Sequence, residues 1–311
     1  MTAPIDPPLP AGLTSRHLTL DDAAAVQALI AAEEERDLGR STVSLDDVVG
    51  EWQRPDRDLP ASTTGVERDG VLVAYGELDD DHAFAAVHPG HQGRGIGRWV
   101  ARWTEDAARA AGHPTLSGQV LSGSPADRLL AARGYQTNFT AWDLELPTGA
   151  EVAARPLPDG YLLRPATDAD HEACWTLFED AFLEWSERER RTFDEFGSAM
   201  WGRPGFEPWN LRVVCAGGRA ASGGGSEVVG ASFTTITDGD GYVHKLAVRS
   251  DRRGLGLATA LLADAFAAAR EHGAAASRLS TDTRAGARGL YEKVGMVVES
   301  TWVNRVLDLG R

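Results

Sequence analysis

The hydrophobic pattern changes period at one kind of boundary, and it does so twice. Residues 242–248 (YVHKLAV) form a mostly apolar run of strand length, and from Leu257 the spacing turns helical (LATALLADAFAAARE). Arg252, Arg253, Gly254 and Gly256 break the pattern between them. After the helix come a short strand pattern (SRLSTD), a second helix (AGARGLYEKVG) and a last strand (ESTWVNRVLDL). Ala86–Gly97 (AVHPGHQGRGIG) repeats the architecture of Ala247–Ala258 (AVRSDRRGLGLA). Gly95 and Gly256 lie 161 positions apart, as do Gly112 and Gly273, Ala126 and Ala287, and Gly134 and Gly295. Self-similarity on this scale is a duplicated domain rather than a solenoid.

The starts of the two copies match at a shorter spacing. Arg16-x-x-Thr19-x-x-Asp22 parallels Arg164-x-x-Thr167-x-x-Asp170, each with Thr or Asp placed to cap a helix. Trp52-Gln53-Arg54-Pro55 parallels Trp201-Gly202-Arg203-Pro204. The second copy therefore carries extra residues between Pro204 and its loop, and the glycine- and serine-rich run 216–226 is where they belong, as a mobile hairpin loop. The expected organisation is a disordered lead-in 1–11, a first domain 12–146, a linker 147–159 and a second domain 160–311. Each domain reads β-α-α-β-β-β-α-β-α-β. That order predicts an α+β fold, twice, with a twisted, mostly antiparallel sheet flanked by helices.

Composition narrows the class. The chain has 311 residues, 42% hydrophobic and 25% charged, with no apolar run of spanning length and no secretory signal pattern at its Pro-rich start. Two cysteines, Cys174 and Cys215, exclude a disulfide framework and a zinc cluster, and no metal site is expected. A cytoplasmic protein, monomeric or homodimeric, follows. The net charge of −15, concentrated in the first half, disfavours nucleic acid and suits a cationic partner such as an amine.

A strand feeding a glycine loop that opens a helix is a cradle for phosphate. Loop N–H groups point at the anion, the helix N-terminus adds about half a positive charge, and glycines let the backbone come close. Arg253-x-x-Gly256-x-Ala258 resembles the Gln/Arg-x-x-Gly-x-Gly/Ala signature of the GNAT (GCN5-related) N-acetyltransferases, and Ala287-x-x-Leu290-Tyr291-x-x-x-Gly295-Met296 resembles a second signature of that family. The resemblance covers nearly the whole chain and implies two tandem GNAT domains. It also implies acetyl-CoA as co-substrate and transfer of acetyl to a small-molecule amine.

On that resemblance Leu246, Ala247, Val248, Arg253, Gly254, Leu255, Gly256, Leu257 and Ala258 are expected to bind acetyl-CoA, and Val87, Gln92, Gly93, Arg94, Gly95, Ile96 and Gly97 are their first-copy counterparts. Tyr291 is the expected general acid, because amine attack on a thioester expels a thiolate that a phenol can protonate. His244 is the expected base. It stands where some family members carry a histidine, and strand alternation puts it on one face with Tyr242, Leu246 and Val248. Glu184 is the alternative base or a partner for the amine. At the same spacing the first copy has Leu130 for Tyr291 and Ala83 for His244, so the chemistry is assigned to the second domain. The first domain then either binds acetyl-CoA without transferring acetyl or keeps its loop as a structural relic. The acceptor stays open among an antibiotic amine, a small metabolite, a cysteinyl amine and a protein N-terminus. The reading from a different class is a non-catalytic acyl-CoA-binding regulator.

Overall fold

The computed structural model describes residues 8–55, 57–153, 156–186, 188–217, 227–237 and 239–310. The glycine-rich run proposed as a hairpin loop lies largely outside them. The chain divides into two compact units. One holds the described residues up to Thr140 and from Ser300 on; the other is Ala141–Glu299.

The first half contains β1 (Thr14–Arg16), α1 (Ala23–Leu38), α2 (Leu45–Trp52), the single turn α3 (Leu59–Ser62), β2 (Thr63–Arg68), β3 (Val71–Asp79), β4 (His82–Val87), α4 (Ile96–Ala111), β5 (Thr115–Leu121), α5 (Pro125–Ala132) and β6 (Gln136–Leu146). The second half contains β7 (Tyr161–Pro165), α6 (His171–Leu183), α7 (Phe193–Ala199), β8 (Leu211–Ala216), β9 (Glu227–Thr237), β10 (Asp240–Val248), α8 (Leu257–Glu271), β11 (Ala276–Asp282), α9 (Arg288–Lys293) and β12 (Val297–Asp308). The expected order holds in both halves, with α3 added in the first.

Each unit is a mixed α/β layer around a mostly antiparallel sheet. In the second, β7, β8, β9 and β10 pair antiparallel in turn, and β10 then runs parallel to β11. The first repeats this with β1 to β4 antiparallel and β4 parallel to β5. The repeated Arg-x-x-Thr-x-x-Asp now has a physical reason. Asp170 accepts from the Thr167 N–H at 2.8 Å and from Arg164 at 2.7 Å, fixing the turn that starts α6. Asp22 does the same with Thr19 and Arg16 before α1.

The unit boundaries differ from 12–146 and 160–311. Ser277–Asp282 of β11 pair with Ala141–Leu146, whereas Thr115–Leu121 of β5 pair with Trp302–Asp308. The last strand of each half thus completes the other half's sheet. Within the expected linker, described residues are packed. Val152 is buried in the core around Phe266 and Leu279, and Leu157 packs with Leu261 and Val214. Order begins before Gly12, since Leu9 packs against the cluster of Val66, Ile96 and Val100. Cys174 and Cys215 are fully buried, and neither forms a disulfide. Among the described residues no helix is long and apolar enough to cross a membrane.

Candidate active site

The second unit holds a cleft of about 500 Å³, and the way β10 and β11 part creates it. Their pairing stops after three positions, at Tyr242 opposite Arg278. Beyond that point His244 and Leu246–Val248 line one wall, Leu279–Asp282 line the other, and the start of α8 closes the end. The Arg249 N–H donates to Val229 on β9 at 2.9 Å, so alternate residues from Ala247 back also face β9. Leu246 therefore turns its backbone N–H and C=O, and Val248 its N–H, toward the cleft, an open strand edge offered to an extended polar chain.

At the closed end Gly256 is the N-cap of α8, with φ +80°, and no side chain caps the helix. A residue with a Cβ is strained in this left-handed conformation. The first N–H groups of α8 therefore reach the cleft unpartnered, and the helix dipole adds to them. The Arg253 Nε donates to the Val248 carbonyl at 3.1 Å, and its two terminal nitrogens each reach a Glu184 oxygen at 2.7 Å. Glu184 follows α6, so this fork ties the loop to the helix above it. Both Glu184 oxygens are taken up in the fork.

The first copy keeps the loop frame and changes its charges. The Gln92 Nε2 donates to the Val87 carbonyl at 3.0 Å, as Arg253 does to Val248. Arg36 stands at the place of Glu184 and donates to Gln92. Gly95 caps α4 as Gly256 caps α8. Leu130, in the position of Tyr291, packs with Leu116 and Tyr135.

Tyr291 lies on α9, 7% exposed, lines the cleft, and its hydroxyl donates to no group among the described residues. Burial pushes its phenol up to about 12, so it is protonated at neutral pH. His244 departs from simple alternation. A bulge falls between Val243 and Lys245, which oppose Thr234 and Phe233 respectively, and His244 is the extra residue. It therefore has no counterpart in the regular first-copy ladder, where Ala83 and Phe84 correspond to Val243 and Lys245. The equation of His244 with Ala83 by constant spacing is corrected accordingly. The bulge also turns two consecutive side chains to one side. Lys245 places Nζ 4.5 Å from the centroid of the Phe182 ring, and the His244 imidazole lies 5.6 Å from Phe233.

The His244 Nε2 is 2.7 Å from the Thr235 hydroxyl, and its ring also meets Tyr242. As a residue His244 is exposed, yet its ring is packed among these groups. Burial foremost, with the charges of Arg203 and Lys245, lowers it to about 4. The imidazole is thus neutral at pH 7. The Tyr242 hydroxyl donates to Ser280 at 2.7 Å, and Ser280 donates to Asp143. Two cleft residues escaped the sequence reading. Trp185 lines the cleft with the Arg284 guanidinium 5.1 Å from its ring, and Ser280 lies on the β11 wall. A tryptophan just past a helix end carries no spacing signal that marks it as site rather than core. Elsewhere in the second unit Trp175 and Trp201 pack with Phe193, and Trp209 stacks on His272.

A splayed parallel pair, a glycine-capped helix start and a buried phenol meet in one cleft. The acetyltransferase (GNAT) family model matches residues 26–135 and 171–296, once in each half. The chain belongs to this family and is an acetyl-CoA-dependent N-acetyltransferase. Mycothiol acetyltransferase of Salinispora arenicola is 32% identical over 257 residues, which cover 76% of this chain and 78% of that protein. A GCN5-related N-acetyltransferase structure from Sphaerobacter thermophilus matches with TM-score 0.80 and 25% identity over 97% of this chain and 98% of the other. A tandem GNAT protein from the clavulanic acid biosynthesis pathway shares the fold, with TM-score 0.68 and 19% identity over 96% of this chain and 99% of the other.

Proposed function

We propose that the second unit alone carries the chemistry, moving acetyl from acetyl-CoA to a small primary amine by direct attack. The observation that carries this reading is the convergence of three features on one cleft: the α8 cradle, the open edge of β10 and the Tyr291 hydroxyl. The amides of Arg253–Ala258 hold the pyrophosphate. Leu246 and Val248 pair with the pantetheine amides and the acetyl carbonyl. In the first unit the corresponding loop, Val87 and Gln92–Gly97, is a second place for the cofactor without transfer chemistry.

The amine nitrogen bonds to the acetyl carbon, the carbon–sulfur bond breaks, and one proton leaves the nitrogen. His244 receives that proton late. An alkylammonium with a pKa of about 10 is roughly six units too weak an acid for an imidazole at about 4. The amine therefore attacks in its neutral form, its first proton left to solvent. The proton His244 takes is a second one, strongly acidic once the nitrogen is bound to the carbonyl carbon. Tyr291 meets the thiolate. A phenol at about 12 favours a strong hydrogen bond to sulfur, with transfer completed as the thiol leaves.

The acceptor has a narrower candidate in a cysteinyl amine, favoured by relatives named mycothiol acetyltransferase and by a tandem layout that resembles mycothiol synthase. The test is CoA release with purified protein, acetyl-CoA and a panel of amines that includes a cysteinyl amide. Turnover with at least one amine is expected. Acetyl-CoA binding with no turnover on the panel would leave the non-catalytic acyl-CoA-binding reading in its place.

A further inference from the structure

The duplication supplies an internal control for one side chain beside His244. In the first copy Arg54, at the end of α2, is held by carboxylates: Glu51 at 3.1 Å and Asp79 at 3.2 Å. Its neighbour Arg57 pairs with Glu77 and Asp79. Arg203 stands at the place of Arg54, in the matching Trp-x-Arg-Pro run. The carboxylates around it are gone. Ala74 faces Val87 as Gly230 faces Val248, so Glu77 and Asp79 become Phe233 and Thr235. Glu51 becomes Met200, and Arg57 becomes Phe206.

Arg203 nonetheless keeps its post over this face. Its guanidinium lies 5.9 Å from the centroid of the Phe233 ring, the same ring that the His244 imidazole meets at 5.6 Å. It is half-buried, and among the described residues no carboxylate pairs with it. Thr235 and Thr237 continue the polar surface from there along β9, their hydroxyls 3.4 Å apart. A half-buried guanidinium without a counter-ion is costly, and here it is retained in a chain of net charge −15, rich in acids to spare.

From this we infer that the acceptor amine carries a carboxylate, which binds the Arg203 guanidinium where Asp79 binds Arg54 in the first copy, while its amine reaches the acetyl group beside His244. The inference rests on the proposed transfer reaction in the second unit. It stands against the cysteinyl-amine candidate wherever that acceptor's carboxyl is tied up as an amide, and the comparison of acid with amide decides between the two.

The experiment compares an amino-acid acceptor with its own carboxamide, in the wild type and in Arg203→Gln and Arg203→Lys. CoA release is measured at saturating acetyl-CoA, with KM and kcat resolved. In the wild type the free acid is expected to have the lower KM by about 10- to 100-fold, the range of one charged hydrogen-bonded pair. Arg203→Gln should raise KM for the free acid by a similar factor and leave the carboxamide unchanged. Arg203→Lys should recover part of the difference. Equal KM values for acid and amide in the wild type overturn the inference, as does an equal loss for both in Arg203→Gln. Turnover of the carboxamide in either case keeps the transferase reading intact. Where neither turns over, calorimetry on the CoA-loaded protein decides the carboxylate site by itself: binding of the free acid that is lost in Arg203→Gln supports it, and no binding to the wild type overturns it.

Discussion

Tyr291 is buried on α9, yet its hydroxyl donates to no protein group among the described residues. Tyr291→Phe is therefore expected to leave thermal stability within about 0.5 kcal/mol and to lower kcat at least about tenfold. A rate within twofold of wild type would remove it from the chemistry. His244 gives a pH signature. Its folded pKa, about 4, lies below the ordinary value near 6.5, so it sheds its proton well before neutrality. The acid limb of kcat in the loaded enzyme should fall near pH 4, not near 6.5, and His244→Ala should abolish that limb. The motif tyrosine was legible in the sequence because its spacing to the loop is fixed by the element between. The state of the histidine was not, because its ring also meets Phe233 and Thr235 of β9 and feels the charge of Arg203, which lie outside its own strand.

At the scale of elements, the α8 cradle depends on one backbone conformation. Gly256 has φ +80° with open space where a Cβ would stand, so Gly256→Ala costs about 1–2 kcal/mol through strain alone. It should also raise KM for acetyl-CoA while barely changing kcat. The Glu184–Arg253 fork gives the contrary test. Its partners are 44% and 48% exposed, so the pair adds at most about 1 kcal/mol of stability. Glu184→Gln should keep kcat near wild type, and a tenfold fall would restore Glu184 as the base.

The turns before α1 and α6 share a further consequence. The Arg16 guanidinium holds Asp22 down at about 2, and Arg164 holds Asp170 lower than its usual range. Carboxylates depressed in the folded state stabilise it fully above their unfolded pKa, near pH 4. That contribution is lost as pH falls through the folded pKa. Asp170→Asn should flatten the acid arm of stability between about pH 4 and pH 2, measured by denaturant unfolding. The repeat motif that marks these turns was plain in the sequence. The bulge at His244 was not, because one added residue leaves the local apolar pattern almost unchanged.

Across the whole molecule, the exchange of last strands decides which fragments fold. Leu144 is fully buried in the core of the second unit, although it lies before the linker expected from the sequence. Leu144→Ala should destabilise that unit by about 2–5 kcal/mol. A fragment of residues 160–311 lacks the strand that pairs with β11, and circular dichroism should show it largely unfolded where the intact chain is folded.

Local features with a strong physical signature were settled by the sequence itself: two copies, their element order, the glycine cradles and the loss of the tyrosine from the first copy. Each follows from periodicity or from a residue type that few backbone conformations accept. Tertiary structure alone decided which strand closes which sheet, how the bulge aims His244, and that Arg203 has lost the carboxylates Arg54 keeps. Those outcomes depend on hydrogen-bond partners and charges far apart in the chain, which no local pattern of residues records.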